Sequence, residues 1–262
     1  FGQKTLPAVS HLQYVKWIEK EKISNLILMT DMGSGHIMSF NLDTQKYKTL
    51  GRLRHPSHLD VADINGDGLM DVVASDLGEL VTNRTTKGQI VWFKNEGNGQ
   101  FKKHVLSDKH GRCSDVRAGD IDGDGDIDLV AADFGYMKGK IFLLRNQGIK
   151  KGVPSFKFEL IDSLSGAINA EFVDLNSDGK LDVVALFSQE HEKIIGYIQK
   201  GNSFERVKLA DANNSGWGSS GMTLGDVDQD GDVDILWLNG DTIDNFIVKK
   251  NQGIHLLENQ GK

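Results

Sequence analysis

Four nine-residue segments share one pattern of acidic and amide side chains. They begin at Asp63, Asp120, Asp174 and Asp226, at intervals of 57, 54 and 52 residues. Each carries Asp or Asn at positions 1, 3, 5 and 9, and Gly at position 6, where the chain can reverse sharply. Together with the backbone carbonyl of position 7, these side chains offer the hard oxygen ligands that Ca²⁺ prefers. The chemistry that the spacing predicts is therefore calcium coordination.

The predicted ligands of each loop are four side chains and one carbonyl. Position 9 begins an apolar strand, where Asp is disfavoured, so turn formation alone does not explain the pattern. Mg²⁺ is less suited, because it prefers rigid octahedral sites with retained water. We predict about four structural Ca²⁺ ions. The side-chain ligands are Asp63, Asn65, Asp67, Asp71, Asp120, Asp122, Asp124, Asp128, Asp174, Asn176, Asp178, Asp182, Asp226, Asp228, Asp230 and Asp234, and the carbonyl ligands belong to Leu69, Asp126, Lys180 and Asp232.

The acidic residues of the chain are concentrated in these segments, which hold 16 of its 37 Asp and Glu residues. Four Ca²⁺ ions would bring the formal net charge from −7 to +1, so the excess of acidic residues is best explained by metal binding. The chain has no basic arm, and nucleic acid is not a predicted partner. No apolar run approaches the roughly 18 residues of a membrane span. The single cysteine, Cys113, excludes an internal disulfide, and the common hydrolase and phosphate-loop motifs are absent.

The acidic segments must be positioned by a repeated unit of short strands. An apolar stretch such as 72–74 follows each segment, and a second strand such as 89–94 follows a variable connection. An Asn/Gly turn and a strand that opens with Phe, such as 101–106, usually complete the unit. Four short strands in each unit of about 52 residues, with a Gly and aromatic signature, predict an all-β fold: a β-propeller of four-stranded blades. A sandwich or a solenoid is the alternative.

A fifth, degenerate copy precedes the four acidic repeats. Ile18, Lys20, Lys22 and Leu26 stand at its ligand positions, so no metal is predicted there. Residues 1–6 match the Phe-led strand and could complete the last blade, which would close a five-blade ring. Alternatively, the five blades belong to a larger ring, for example of seven blades. The predicted single domain, 1–262, has approximate blades 11–52, 57–107, 114–162, 167–210 and 219–262.

These loops and their spacing resemble the FG-GAP, or VCBS, repeat, the blade unit of integrin α-subunit propellers and of many bacterial surface and secreted proteins. The resemblance covers nearly the whole chain. It implies that each loop joins the first and second strands of its blade, and that calcium at the sixteen side-chain positions is structural. Its likeness to long bacterial repeat proteins also favours further blades beyond Lys262.

If the loops join the first two strands, the variable connections between the second and third strands lie on the opposite face. Asp begins three of these connections, and the carboxylates could form a ring that binds a cation, an amine or sugar hydroxyls. Alternatively, each Asp caps a turn. Nearby histidine, arginine and tryptophan side chains suit a carbohydrate or a peptide. The candidate ligand-binding residues are Asp31, Asp76, Asp133, Asn239, His110, Arg112 and Trp217.

The leading functional hypothesis is a binding or scaffold propeller for protein or carbohydrate ligands, which could belong to a larger complex. The alternative is a calcium-dependent polysaccharide lyase or hydrolase, with His110, Arg112 and Asp133 as its convergent base and cation. Extracellular calcium loops bind at about 10⁻⁴–10⁻³ M, and cytosolic calcium is too low to fill them. The predicted location is therefore extracytoplasmic: periplasmic, secreted or cell-surface.

Overall fold

The computed structural model describes residues 8–19, 22–81, 86–135, 138–213, 217–240 and 253–259. These residues contain strands and turns but no helix, and so no helix long and apolar enough to cross a membrane. The strands are β1 (Val9–Glu19), β2 (Lys22–Asp31), β3 (His36–Asn41), β4 (Lys46–Arg52), β5 (Pro56–Ala62), β6 (Asp71–Asp76), β7 (Gly88–Asn95), β8 (Phe101–His110), β9 (Cys113–Gly119), β10 (Asp128–Asp133), β11 (Lys140–Lys150), β12 (Val153–Asp162), β13 (Ala167–Val173), β14 (Asp182–Phe187), β15 (Lys193–Lys200), β16 (Ser203–Asp211), β17 (Ser219–Gly225), β18 (Asp234–Asn239) and β19 (Gly253–Leu257).

The strands pair in sequence order into five antiparallel sheets. Strands β1–β4, β5–β8, β9–β12 and β13–β16 form four-stranded sheets, and β17–β19 are the described strands of the fifth. The sheets are the blades of a five-blade β-propeller, which confirms the predicted fold class. The strand that residues 1–6 were predicted to add to the last blade lies outside the described residues.

The core of the molecule lies between neighbouring blades. Every residue of β6, β10 and β14 is buried, because these second strands are covered on both faces. Four apolar clusters fill the four spaces between consecutive blades. In the first of them, Leu28 and Ile37 of one blade pack with Val72 and Phe93 of the next. A single sheet could not bury both of its apolar faces, so the stacking of blades makes the fold stable.

Serine hydroxyls on the innermost strands of the first three blades each add a polar link to the next blade. Each donates to a backbone carbonyl at the start of the next blade's first strand, in a buried or half-buried setting. A buried hydrogen bond of this kind stabilises a fold by about 1 kcal/mol and is costly to break on one side only. The bonds are Ser10 Oγ to Pro56 O at 2.9 Å, Ser57 Oγ to Cys113 O at 2.9 Å and Ser114 Oγ to Ala167 O at 2.8 Å.

Candidate metal loops and ligand-binding face

The four acidic segments all join the first and second strands of their blades, as the resemblance implied. They occupy 63–70, 120–127, 174–181 and 226–233, and position 9 is the first residue of β6, β10, β14 or β18. The first blade has no such loop. Its β1 and β2 pair directly to the end, with Glu19 opposite Lys22, and the predicted position Lys20 lies outside the described residues.

Backbone hydrogen bonds give the loops their tight turn. In the first loop, the carboxylate of Asp63 accepts bonds from the N–H groups of Asp67 at 3.0 Å and Gly68 at 2.7 Å. The position 6 glycines all have a positive φ, from 82° at Gly179 to 97° at Gly231, a region that glycine adopts without strain. The turn therefore holds the side chains of positions 1, 3 and 5 on one concave side.

The donor set of the loops fits a hard divalent cation. One oxygen each from Asp120, Asp122 and Asp124 lie within 4.8 Å of one another, and the same holds for Asp226, Asp228 and Asp234. The other two loops carry Asn at position 3, which supplies an amide oxygen in place of a carboxylate. Carboxylates this close repel one another, and a bound Ca²⁺ would neutralise them and cross-link the loop.

The position 9 carboxylates have a second task that the sequence reasoning missed. Asp71, Asp128, Asp182 and Asp234 are buried, and each joins its loop to the end of the third strand. Every one accepts a backbone N–H from position 2 of its loop and another from a residue in or just after the third strand. In the second loop these bonds come from Ile121 at 3.2 Å and Asn146 at 2.6 Å.

Burial disfavours the charged form of three of the position 9 carboxylates. Burial raises the pKa of Asp71 and that of Asp128 to about 6, although backbone N–H donors act in the opposite direction. The pKa of Asp182 is also raised, first by burial. The pKa of Asp234 is lowered, first by its bonds from Val227 and Asn259. The loops therefore contain charges that a cation would stabilise.

Cations from the third strands already contact two of the loops. The Arg145 guanidinium lies 2.6 Å from an oxygen of Asp122 and 3.2 Å from one of Glu159. The Lys94 ammonium lies 3.4 Å from Asp67. The sequence signal was present, since both cations stand at the same position of the third-strand repeat.

On the opposite face, two predicted ligand-binding carboxylates are buried and already occupied. The carboxylate of Asp76 accepts backbone N–H groups from Arg54, His55 and Gly78 at 2.9–3.0 Å. The carboxylate of Asp31 accepts the N–H groups of Ala8 and Gly33 and the hydroxyl of Ser34. These bonds fix the connections between blades, which favours the turn-capping alternative at both positions.

Asp133 and its hydrogen-bond partners form a buried cluster. Its carboxylate is fully buried and accepts N–H groups from Gly111 and Arg112 and the ammonium of Lys140 at 2.8–2.9 Å. The His110 ring stacks on Phe142 at 4.6 Å, and its Nδ1 lies 3.8 Å from Asp133. Burial, followed by the charge of Lys140, lowers the pKa of His110 to about 4. The structure thus brings His110, Arg112 and Asp133 together, but His110 and Asp133 are buried and Arg112 is half-buried.

The remaining candidate ligand-binding residues also contact other parts of the protein. The Arg112 guanidinium donates to the carbonyls of Glu79 at 3.2 Å and Leu80 at 3.1 Å. Trp217 contacts the rings of Trp237 at 5.7 Å and His255 at 4.9 Å. Asn239 is buried at the end of β18.

The fourth blade replaces the missing Asp with a different acid. Phe187 stands at the end of its second strand, and Glu192, from the following connection, is buried in the corresponding place. The Glu192 carboxylate accepts the N–H of Ser219 at 2.8 Å and also its hydroxyl, which in turn accepts Trp237 Nε1 at 2.9 Å. Sequence reasoning missed Glu192, although it is one of two acids in the variable connection of that blade.

Charged side chains of the innermost strands form a buried cluster. The Asp115 carboxylate lies 2.8 Å from His58 Nδ1 and 3.3 Å from Arg117 Nε, and Arg117 also lies 3.7 Å from Glu171. Burial alone would raise the pKa of Asp115, but Arg117 and His58 outweigh it and hold that pKa well below its usual range. Burial and the neighbouring His58 lower the pKa of His11 to about 3. The cluster ties three blades together with paired charges.

An exposed groove lies beside the variable connection of the second blade. It encloses about 400 Å³ and is lined mainly by cationic and polar side chains. Its acids are Asp76, whose oxygens are occupied by backbone N–H groups, and Asp108. The lining residues are Arg54, Asp76, Thr86, Lys87, Gln89, Lys103, Asp108 and Lys109. The excess of positive charge suits an anionic ligand.

Comparison with known protein families shows which family the chain belongs to. The family described as FG-GAP-like repeat matches residues 78–131, 120–185 and 174–237, more than half of the chain. The chain belongs to this family. The second and third matched stretches run from an acidic loop to the second strand of the next blade, whereas the first begins after β6 and ends in β10. The family repeat and the structural blade therefore have the same period.

Two solved structures resemble the FG-GAP repeat protein in fold. The crystal structure of the V. cholerae biofilm matrix protein Bap1 matches with 18% identity and a TM-score of 0.54, over 100% of this chain and 39% of that chain. A luciferin-regenerating enzyme matches with 12% identity and a TM-score of 0.53, over 89% of this chain and 71% of that chain. At these identities the likeness shows the fold alone. No curated protein matches the sequence.

Proposed function

We propose that the chain is a calcium-stabilised binding and scaffold propeller that works outside the cytoplasm and recognises an anionic ligand. Three features support the proposal: the rigid stack of blades, the donor sets of the four loops, and the cationic groove beside the second blade. The groove carries the assignment of a binding function, because it is the exposed concave site on the variable face with unbalanced charge.

The charges of the groove favour an acidic carbohydrate. Arg54 and Lys87 are exposed and share one acidic neighbour, Glu79. Lys103 and Lys109 are exposed on β8 and add two further positive charges. Several exposed cations on a rigid surface bind a repeating anion by summed contacts that salt weakens. A polysaccharide with sulfate or carboxylate groups supplies such a repeat, and an acidic protein segment is the other candidate.

The burial of His110 and Asp133 favours a binding function over catalysis. A general base must reach the proton that it removes, and His110 is buried between Phe142 and Asp133. Its lowered pKa keeps the ring neutral, but no open cleft leads a polymer to it among the described residues. We therefore assign no step of a lyase or hydrolase reaction to this chain.

Calcium is proposed at the sixteen side chains and four carbonyls of the loops, as a structural ion. In this role it would add stability without chemistry of its own. If each site binds with a dissociation constant near 10⁻⁴ M, 1 mM Ca²⁺ stabilises the fold by about 1.4 kcal/mol for each site. Millimolar calcium is an extracellular condition, which supports the proposed location.

Isothermal titration with dextran sulfate, and with unmodified dextran as the neutral control, tests the ligand class. We expect dextran sulfate to bind, and the variant K103E/K109E to lose at least tenfold in affinity. The control variant K157E/K200E reverses two exposed lysines outside the groove and should bind as the unaltered protein does. Equal binding of dextran, or equal loss in both variants, would contradict the proposed site. Binding of poly-glutamate but not dextran sulfate would favour a protein ligand.

A further inference from the structure

A pocket of about 450 Å³ lies between the first and second blades, on the side where the other blades carry their acidic loops. One wall is the face of the first sheet that turns towards the second blade. The other wall includes Gly99, in the turn before β8, and Phe101, the first residue of that strand. The lining residues belong to two blades whose four strands are all described.

The pocket follows from a small residue at a position that later blades fill. Ser39 of β3 stands at the register of Trp92 and Leu143, which are fully buried between their own blades and the next. Ser39 is 5% exposed, and its hydroxyl has no hydrogen-bond partner among the described residues. A buried hydroxyl without a partner is costly, so this group would gain from a ligand in the pocket.

Aromatic and aliphatic side chains form the inner part of the pocket. Trp17 is 7% exposed, and its ring stands edge-on to that of Phe101, with 6.0 Å between the centroids. Leu26 and Leu50 line the same part. Mostly apolar walls with a few polar groups that converge on the space are typical of sites for small molecules.

Three lysines at the rim have no carboxylate partner. Lys22, Lys46 and Lys48 are exposed, and none of them forms an ion pair with a described residue. The Lys48 ammonium lies 5.5 Å from the centre of the Phe101 ring. Glu19 is the one acid among the described lining residues, so two positive charges remain in excess.

The matching pocket between the third and fourth blades has its charges paired. Its lining includes Arg145 and Glu159, which stand at the register of Asn41 and Lys48 in the first blade. Arg145 lies 3.2 Å from Glu159 and 2.6 Å from Asp122. The fold alone therefore does not produce the positive charge, which belongs to the residues of the first pocket.

We propose that the pocket of the first blade binds a single sugar-acid unit, a six-membered ring that carries a carboxylate. The lysines of the rim pair with the carboxylate, Ser39 bonds a ring hydroxyl, and the apolar wall packs on the C–H face of the ring. The volume lies in the range of small-molecule sites, about 300–1,000 Å³. The site lies at the opposite end of the blades from the cationic groove and does not rest on it.

Nuclear magnetic resonance titration with galacturonate tests the proposal. The indole N–H of Trp17 and the backbone N–H of Gly99 should shift, and neutral galactose at the same concentration should shift neither. The backbone N–H of Gln89, in the groove of the second blade, should stay unchanged. Shifts at Gln89 without shifts at Trp17 would overturn this site and leave the groove as the binding surface.

A second titration distinguishes a free sugar acid from the end of an acidic polysaccharide. Trigalacturonate that binds more tightly than galacturonate, with the same shift at Trp17, would identify the end of a polymer as the ligand. Equal affinity would identify the free unit. Absence of any shift at Trp17 with both compounds would overturn the proposal.

Two variants locate the binding. Ser39→Leu supplies the side chain that the third blade has at this register, so it should fill the pocket and abolish binding without lowering the melting temperature. K46E/K48E should bind galacturonate about tenfold more weakly, because reversed charges repel the carboxylate. K16E/K102E, the matched control, reverses two exposed lysines outside the pocket and should bind normally. Unchanged affinity in K46E/K48E, whose altered side chains are exposed, would overturn the proposal, as would equal loss in the control.

Discussion

The substitution D128N separates the two tasks of the position 9 carboxylate. In the absence of metal, Asp128 accepts two backbone N–H groups, from Asn146 at 2.6 Å and Ile121 at 3.2 Å. An Asn side chain keeps one acceptor but opposes the other N–H with its own amide. Leaving one buried donor unsatisfied costs about 1–3 kcal/mol.

The loss of charge offsets that cost. The pKa of Asp128 is raised by burial from 3.8 to about 6, which corresponds to at most about 3 kcal/mol at neutral pH and less after solvent screening. The two effects nearly cancel, so in EDTA the free energy of unfolding of D128N should lie within about 1 kcal/mol of the unaltered value. With about 1 mM Ca²⁺ present, a tenfold weaker site would remove about 1 kcal/mol of stabilisation.

Urea unfolding in EDTA and in about 1 mM Ca²⁺ measures both quantities. D126N is the matched control, because it makes the same charge change at position 7, where the backbone carbonyl is the predicted ligand. The expected result is a calcium-dependent deficit in D128N and a much smaller one in D126N. A deficit of equal size with and without calcium would refute a ligand role for Asp128, as would equal behaviour of the two variants.

Three further predictions concern stability. Because the pKa values of Asp71 and Asp128 are raised, these groups bind protons more tightly in the folded state. In EDTA their contribution to the free energy of unfolding should therefore rise as pH falls from 7 towards 4. Bound calcium should reverse this pH dependence, and the same pH dependence with and without calcium would contradict the prediction. Ser57→Ala removes a buried link between blades and should cost about 1–3 kcal/mol in urea unfolding. Ser220→Ala should be nearly neutral, because the Ser220 hydroxyl donates to Leu238 O of its own blade at 3.4 Å; equal costs would contradict the link. Asp115→Asn leaves the Arg117 charge without its nearest carboxylate and should lower the free energy of unfolding by about 3 kcal/mol, and an unchanged urea midpoint would contradict the importance of that pair.

The propeller was predictable because its signals repeat. The acidic loops recur at nearly constant spacing, and each is followed by an apolar strand that ends up buried between two blades. The loops' place between the first and second strands was implied by the family resemblance, and the absence of a metal loop from the first blade follows from the acids that its copy lacks.

The occupied carboxylates were less predictable. From sequence, Asp31, Asp76 and Asp133 could either cap turns or form a ligand ring, because the choice depends on which backbone N–H groups the fold brings within reach. The partners of Asp133, for example, come from Gly111 and Arg112 in the preceding connection. Glu192 accepts similar hydrogen bonds from a different position in its blade. Aligning the repeats at the end of the second strand therefore could not identify it.

The exposure of Leu12 and Ile254 was beyond sequence reasoning for another reason. Leu12 and Ile254 have the same residue types as their buried counterparts, and exposure depends only on whether a neighbouring blade is present. From sequence, a closed five-blade ring and a larger ring were both open, and the family resemblance favoured further blades. The contrast between Ile194 and Ile254, fully buried and 68% exposed, becomes visible only in three dimensions.

The direct pairing of Glu19 with Lys22 in the first blade has an evolutionary consequence. That blade keeps all four of its strands although its hairpin carries no nine-residue loop. Most of residues 18–26, which stand at the loop positions, here extend β1 and β2 instead. A metal site in this architecture can therefore be lost by substitution within the segment, without a change in strand register elsewhere. Descendants of one ancestral repeat can thus differ in the number of ions they hold while they conserve the same framework.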